Sequence, residues 1–574
     1  MREAEVLAEI GRRARALIDR THLEVDYYRI RRTIAVPLPV DRLWLPAMEI
    51  PGIPEYPWGT WLSWEIEERV DALAWAGSLL DDGRAREAAA RDLRALAAWP
   101  TWQQYRRPDL AAAHLLRTMT KGVTQWSWLP DQLRRELEGA LRRGVDDGMS
   151  CLGDGSQHHN ISLIFPFSLA GAATAGSHPH AARLVDRAVA AYRSVLDLRA
   201  KGHSEGVAYD GYVLDFIASL ARLVPEVLER LRHPRLDDLL DQSLRLAVPG
   251  DAANVAEIGD VEPRRMSFHL SAQLKLAALA PEPRREWLAS TARVDWLRVD
   301  ALAALHDIAG APVGAPAGSP PPHAPEAPER AVDAHYALCL RTGWGVSDLA
   351  VAVSASSSTM SHLHLDTGSI VIGTRGRWII TDPGYQQYMR KREREFTLGK
   401  TAHNCPVLND TAQVARATER HVRFGAEGDL RWAWVDMTAC YPAELGISRA
   451  RRHLRLLDGD TVVVADELEG RELRRADYCW HGDREAAWWV ADGWARIVLP
   501  EVTLWLGSPS VRFGFESLDR LPGSRGSLSL RAGTETAGKP LYWIFSLRGP
   551  REARVAADGR SIEIEGLTLE LPRD

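Results

Sequence analysis

Ala309-Gly-Ala-Pro-Val-Gly-Ala-Pro-Ala-Gly-Ser-Pro-Pro-Pro-His-Ala-Pro-Glu-Ala-Pro328 suits neither a helix nor a strand. Its prolines lack the backbone donor and its glycines lose the most entropy on ordering. It reads as a semi-stiff linker or exposed loop, and as the clearest boundary in the chain. On its N-terminal side, Val6, Ile10, Ala14 and Ile18 recur at helical spacing, as do Ile66, Val70, Leu73 and Ala74. Further helical patterns follow near 84–98, 108–122, 130–149, 158–175, 179–199, 208–232, 236–248, 266–280 and 296–308. A passage rich in proline and tryptophan, about 37–61, reads as a long ordered loop. Almost no strand pattern occurs before residue 310. Consecutive helices with short links pack as a bundle, a solenoid or a closed toroid of hairpins, and no sharp repeat marks a regular solenoid. Beyond the linker the pattern changes to short β-rich runs at 337–341, 349–355, 369–374, 378–381, 422–427, 430–437, 453–457, 461–467, 495–499, 502–507, 541–547 and 561–565. Such runs predict an antiparallel β-sandwich. The expected organisation is a helical domain over 1–310, a linker over 311–329 and a β domain over 330–574.

At 574 residues, two large domains are the default. Apolar content of 45% and charged content of 26% are those of a globular protein. The net charge of −6 carries no basic excess, which argues against a nucleic-acid partner. Basic residues are nearly all Arg, with six Lys, and Arg suits bidentate binding of carboxylate or sulfate. Cys151, Cys339, Cys405, Cys440 and Cys479 are scattered and odd in number, so a disulfide framework is not expected. No run reaches membrane-spanning length, and the N-terminus has no signal pattern. The expected location is cytoplasmic, or secreted or periplasmic if the N-terminus was trimmed. The sequence leaves a homodimer open.

The segment from Ser361 to Asn404 concentrates polar groups. His362, His364 and Asp366 alternate, which in a strand places them on one face. An apolar run at 377–380 then ends at Asp382, where a hairpin could return it beside His364; His403 arrives from a separate segment. Two imidazoles and a carboxylate from three segments suit a tetrahedral zinc site. The plain alternative is a polar strand face with unrelated turn residues. In the helical half, Gln157-His158-His159-Asn160 opens an apolar helix, a position that favours an anionic ligand through free N–H groups and the helix dipole. Glu205-Gly206 then precedes Tyr209 and Tyr212, one turn apart on a helix. A helix cap with surface histidines and a buried aromatic pair are the plainer readings of these two.

Together the three motifs resemble the heparinase II/III-like polysaccharide lyases. Gln157-His158-His159-Asn160 resembles that family's Asn-His helix start, and Glu205-Gly206 with Tyr209 and Tyr212 its Glu-Gly…Tyr segment. His362-x-His364-x-Asp366-x-Gly368, Asp382-x-Gly384 and Ala402-His403-Asn404 resemble its C-terminal signature. The likeness spans roughly 60–500 and implies an incomplete (α/α) toroid followed by an antiparallel β-sandwich. It implies an acidic, uronate-containing polysaccharide or oligosaccharide substrate cleaved by β-elimination. His159 takes the place of the base or its helper, Tyr209 of the tyrosine acid and His362 of the β-domain histidine that reaches the cleft. His364, Asp382 and His403 fall where some members hold a structural zinc. The family usually has Asn before its His, where this chain has His158, so the key residue among His158, His159 and Asn160 stays open. The family's tyrosine near the end of the third motif is replaced by Phe396.

Elimination needs a base for the C5 proton, an acid for the leaving oxygen and groups that neutralise charge on the neighbouring carboxylate. Asn160, His158 and His362 are the candidates for that last task. Gln157, Glu205, Tyr212, Tyr385, Arg390 and Asn404 are the expected substrate-binding residues, with Tyr388 as a further stacking candidate. Arg375, Arg377, Arg392 and Arg394 extend the basic cluster, which otherwise reads as a solvated helix. The competing functions are a hydrolase on the same scaffold, using carboxylates such as Glu205, Asp210 and Asp154, and a non-catalytic binding or biosynthetic relative.

Overall fold

A computed structural model describes residues 2–27, 32–45, 55–152, 160–200, 205–232, 242–261, 267–279, 289–310, 336–356, 362–382, 395–415, 422–428, 430–517, 528–535 and 538–572. The chain forms two compact units. One comprises Met1–Asp197, Val207–Leu240 and Arg264–His323; the other comprises Leu198–Gly206, Asp241–Pro263 and Ala324–Asp574. Two short segments of the N-terminal half therefore belong to the β-rich unit. Most of the Pro/Ala-rich stretch lies outside the described residues.

The helical unit contains α1 (Arg2–Leu17), α2 (Trp58–Leu79), α3 (Gly83–Ala97), α4 (Leu110–Thr124), α5 (Asp131–Met149), α6 (Asn160–Ala175), α7 (Ala181–Ala200), α8 (Val207–Ala221), α9 (Glu226–Arg230), α10 (Phe268–Leu279) and α11 (Val299–Gly310). Helices α2, α4, α6, α8, α10 and α11 each pack on the next, and α11 returns to α2, which closes an inner ring. Helices α2, α6, α8 and α10 are buried nearly all round. Helices α3 and α5 bury a single stripe, such as Leu133, Leu137, Leu141 and Val145, as outer helices should. Acidic caps start two of the helices: Asp82 accepts from the Ala85 N–H, and Asp109 from the Ala111 N–H.

Strands do occur before residue 310, contrary to the expectation from sequence. β1 (His22–Tyr27) pairs antiparallel with β2 (Arg32–Pro37), and β3 (Ala247–Val248) with β4 (Asp251–Val255). The first hairpin alternates exposed and buried residues, but it is too short to stand out from helix-rich flanks. The expected loop over 37–61 also ends early, because α2 begins at Trp58.

The ring interior is polar. Glu67 and Asp71 lie one turn apart on α2, His114, Arg117 and Lys121 share a face of α4, and Tyr212 and Asp215 share a face of α8. Arg117 grips Glu67 at 2.8 and 2.9 Å and Asp215 at 2.5 Å. Lys121 bonds Glu67 at 2.9 Å and also Asp71, while Lys275 bridges Asp215 at 2.7 Å and Asp300 at 2.5 Å. Arg298 lies 3.4 Å from Glu67. Four carboxylates (Glu67, Asp71, Asp215, Asp300) thus face four cations (Arg117, Lys121, Lys275, Arg298), so the buried charge is balanced. Tyr212, expected at the substrate, is fully buried in this network: its hydroxyl meets His114 Nε2 and accepts from the Trp64 indole at 2.9 Å. The buried-aromatic reading of Tyr212 is the one the structure supports.

The β-rich unit contains β5 (Ala337–Arg341), β6 (Leu349–Ser354), β7 (Ile370–Thr374), β8 (Arg377–Ile380), β9 (Val407–Leu408), β10 (Val422–Glu427), β11 (Leu430–Asp436), β12 (Ile447–Leu457), β13 (Thr461–Gly470), β14 (Arg475–His481), β15 (Ala487–Ala491), β16 (Trp494–Leu499), β17 (Val502–Gly507), β18 (Phe513–Ser517), β19 (Leu528–Glu535), β20 (Leu541–Ser546), β21 (Ala553–Val555), β22 (Ser561–Ile564) and β23 (Leu567–Glu570). An eight-stranded sheet runs in the order β10-β11-β12-β13-β20-β17-β16-β15. The sheets β5-β6-β7-β8 and β18-β19-β14-β9 accompany it. Leu454, Val462, Val464, Trp543 and Phe545 of the large sheet share one core with Val351, Ile372 and Trp480 of the smaller ones. The other face of β12, β13 and β20 packs Val463, Tyr542 and Ile544 against Ile562, Ile564 and Leu569 of the sheet β21-β22-β23. β13 and β20 are therefore covered on both faces, which explains their unbroken apolar runs. Among the described residues no helix is long and apolar enough to cross a membrane.

Helix α4 yields a pH prediction. The Trp64 indole, which can only donate, approaches His114 Nε2 at 2.8 Å, and His114 Nδ1 lies 2.5 Å from Glu67. The Trp64 N–H is shared between His114 Nε2 and the Tyr212 hydroxyl, and full burial favours the neutral ring. Burial drives its pKa down to about 3, against the pull of Glu67. The unfolded chain takes up a proton that the folded chain refuses, so stability is full above pH 6.5 and falls as pH drops towards about 3. The expected slope from this group is about 1.4 kcal/mol per pH unit. His114→Gln cannot titrate, so its stability deficit against wild type should narrow as pH falls below 6.5. Urea unfolding of both proteins over about pH 4 to 7 measures this; a constant deficit contradicts it.

Candidate functional site

The segment 362–369 is not a strand, although its residue types drew that reading. It is a series of turns leading into β7, and His362 has a left-handed backbone with φ 72. Gly368 has φ +86, and a Cβ there would lie 2.2 Å from the Met437 sulfur, so the turn needs glycine. The turns nevertheless bury His364 and Asp366 together. Asp366 accepts from the Ser354 hydroxyl at 2.8 Å.

The antiparallel hairpin β7–β8 returns the chain so that Asp382 follows β8 by two residues. His403 arrives on the segment before β9. Ligand-capable atoms of His364, Asp382 and His403 all lie within 4.8 Å of one another, and all three residues are buried. His403 Nδ1 lies 2.8 Å from Asp382 Oδ2, while its Nε2 is buried with no hydrogen-bond partner among the described residues. His364 Nε2 lies 3.0 Å from Asp260 Oδ1. Burial lowers the His364 pKa, but the hydrogen bond to Asp260, with Asp366 and Asp382 nearby, outweighs it and pushes the value up to about 9. Burial raises the pKa of Asp366, opposed by His403 and His364. Two imidazoles and a carboxylate, with a buried His403 nitrogen that has no hydrogen-bond partner among the described residues, fit a zinc ion by donor type.

His362 presents a different environment. Its Nδ1 lies 3.2 Å from Glu205 Oε1, and it is less enclosed than His364. Glu205 was expected at the substrate; the structure pairs it with His362. In the helical unit, Asn160 opens α6 and Tyr209 lies in the first turn of α8, with 2% and 3% exposure. Gln157, His158, His159, Tyr385 and Arg390 lie outside the described residues, as do Asp154, Tyr388, Arg392 and Arg394. Arg377 pairs with Asp483 at 2.9 Å and Glu485 at 2.7 Å.

Asn404, expected to bind substrate, has another task. Its amide donates to the carbonyls of Ile370 and Thr381, both at 2.8 Å, and accepts from the His481 N–H at 2.7 Å. It is fully buried, so its side chain ties β7, the residue before Asp382 and the end of β14 together. Arg452 holds the same region from below. Its guanidinium forks onto Asp466 at 2.8 and 2.7 Å and donates to the carbonyls of Gly368 and Asn404, both at 2.6 Å. Tyr478 donates to the same Asp466 carboxylate at 3.0 Å. Sequence reading missed Arg452 and Asp260. Arg452 had a signal: it shares the inward face of β12 with Ala450 and Leu454, where a charge breaks the alternation. Asp260 had none beyond a Gly-Asp turn.

A helical ring precedes a β-sandwich in this chain. Residues 325–536 match the family model described as Heparinase II/III-like, C-terminal. Among solved structures, a heparinase III aligns with TM-score 0.63 at 12% identity, over 89% of this chain and 83% of that one. A heparan sulfate lyase from Pedobacter heparinus aligns with TM-score 0.59 at 11% identity, over 98% of this chain and 88% of that one. At these identities the likeness establishes the shared fold. No curated protein matches the sequence.

Arg452→Met removes the partner of a buried carboxylate and two carbonyl contacts. It should cost about 3–5 kcal/mol, as loss of one half of a buried pair does. Arg452→Lys keeps the charge without the planar fork and should cost less. Chemical denaturation checks the order; equal stability of Arg452→Met and wild type contradicts it.

Proposed function

We propose that this protein is a polysaccharide lyase that cleaves a uronate-containing acidic glycan by β-elimination. The observation that carries the reading is the placement of His362. Within a heparinase II/III-like domain, it stands two residues before His364, on a left-handed turn, with its ring directed by Glu205. Tyr209 follows Glu205 by four residues, so chain connectivity alone keeps their Cα atoms within about 14 Å.

In this reading the C5 proton of the uronate passes to a base, the C4–O bond breaks, a C4=C5 double bond forms and the leaving oxygen takes a proton. No water is consumed. Tyr209 donates the proton to the leaving oxygen. If base and acid act on the same face of the sugar, Tyr209 also removes the C5 proton; if on opposite faces, His159 does so. Asn160 and His362, with His158, neutralise the charge that grows on the carboxylate, the largest expected contribution in such a reaction. Arginines suit the sulfates or carboxylates of neighbouring sugars. His364, Asp382 and His403 would hold a zinc ion, which supplies a fixed cross-link between three segments. These residues brace the turn that presents His362.

The test incubates the protein with a panel of uronate polymers and follows the ultraviolet absorbance of a 4,5-unsaturated uronate. Rising absorbance is expected. New reducing ends without absorbance indicate hydrolysis, and neither, with retained binding, indicates a non-catalytic relative. Tyr209→Phe should lower kcat by about 10²–10⁴-fold, the usual worth of a general acid or base, with an unchanged thermal midpoint. A fully active variant moves the acid role to another residue.

A further inference from the structure

Asp260 follows β4 in the chain, about a hundred residues before the cluster histidines, and it holds the 362–364 turn in two ways. Its backbone N–H donates to the carbonyl of His362 at 2.8 Å, and its side-chain Oδ1 lies 3.0 Å from His364 Nε2. The approach is close along the backbone as well. Gly259 has φ +76, and a Cβ there would lie 2.7 Å from the same His362 carbonyl. Asp260 and His364 are both buried, at 4% and 3% exposure, so their contact is shielded from water. An imidazole whose one nitrogen donates to a carboxylate has its tautomer and ring plane set, and it presents the other nitrogen as a more basic ligand. Asp260 is not a member of the three-residue cluster, whose members are His364, Asp382 and His403.

We propose that Asp260 is the positioning residue of the metal cluster: it orients His364 for zinc and, through its own backbone, locks the neighbouring turn that carries His362. The inference rests on the zinc reading of His364, Asp382 and His403. It makes the metal centre and the substrate-facing histidine dependent on a single residue from a distant part of the chain.

The experiment measures zinc affinity by competition with a chromophoric chelator. It uses full-length wild type, Asp260→Asn, Asp260→Ala and His364→Ala, and reads the zinc-dependent rise in the thermal midpoint as a second signal. Wild type should bind zinc, and His364→Ala should lose it. Asp260→Ala should bind about 10–100-fold more weakly, the usual cost of losing a partner behind a ligating histidine. Asp260→Asn keeps a neutral acceptor and should lie between the two. The thermal rise should shrink in the same order. Should Asp260→Ala fail to fold, Asp260→Asn against wild type carries the comparison. If wild type binds zinc and His364→Ala does not, but the Asp260 variants match wild type, the positioning role is overturned and the cluster stands. If wild type takes up no zinc, the cluster reading and the role of Asp260 fall together.

Discussion

The β-rich unit depends on the pairing of Arg452 with Asp466, two fully buried charges on adjacent strands. A buried ion pair is costly to desolvate and adds little net stability against an apolar pair. Its value here is geometric. The planar guanidinium leaves donors beyond the carboxylate, and these fix the carbonyls of Gly368 and Asn404. Asn404 passes the constraint on to Ile370, Thr381 and His481. His403 adjoins Asn404, Asp382 adjoins Thr381, and His364 lies just upstream of Gly368. One rigid fork thus helps to register the three segments that carry the cluster, together with the β7–β8 hairpin that brings Asp382 back.

The helical unit solves a related problem differently. Among the described residues, its inner ring sets the carboxylates of Glu67, Asp71, Asp215 and Asp300 against Arg117, Lys121, Lys275 and Arg298 on helices whose other buried positions are mostly apolar. The trio Glu67, Asp71 and Asp300 is close enough to resemble a metal site. The Lys121 ammonium bonds two of the three, so the trio already has its cation. The cluster of His364, Asp382 and His403 instead joins two imidazoles to one carboxylate, with the carboxylates of Asp260 and Asp366 beside it. Donor type separates the two places: three carboxylates already holding an ammonium in one, two imidazoles and a carboxylate in the other.

The division into helices and strands was legible because outer helices such as α5 repeat apolar residues at helical spacing, while β20 and the Val462–Ala465 part of β13 are short apolar runs rich in β-branched and aromatic residues. Strands that alternate weakly, such as β15 with Trp489 outward and Trp488 inward, escaped notice. The cluster was found through a wrong local geometry. Alternation would put His362, His364 and Asp366 on one strand face. The turns instead bury His364 and Asp366 and direct His362 to Glu205. Tyr212 and Asn404 were misread because an aromatic or an amide near a motif looks the same in sequence whether it meets a ligand or its own backbone.

By itself the sequence determined the two-part architecture and singled out His364, Asp382 and His403 as one group, since periodicity and residue chemistry are local properties. Only the tertiary structure decided which groups lie together over long separations: Asp260 with His364, Glu205 with His362, Arg452 with Gly368 and Asn404. Such pairs depend on where folded segments meet. A single Asp in a turn, or one Arg in a strand, carries no mark of its partner until packing brings the two within hydrogen-bond reach.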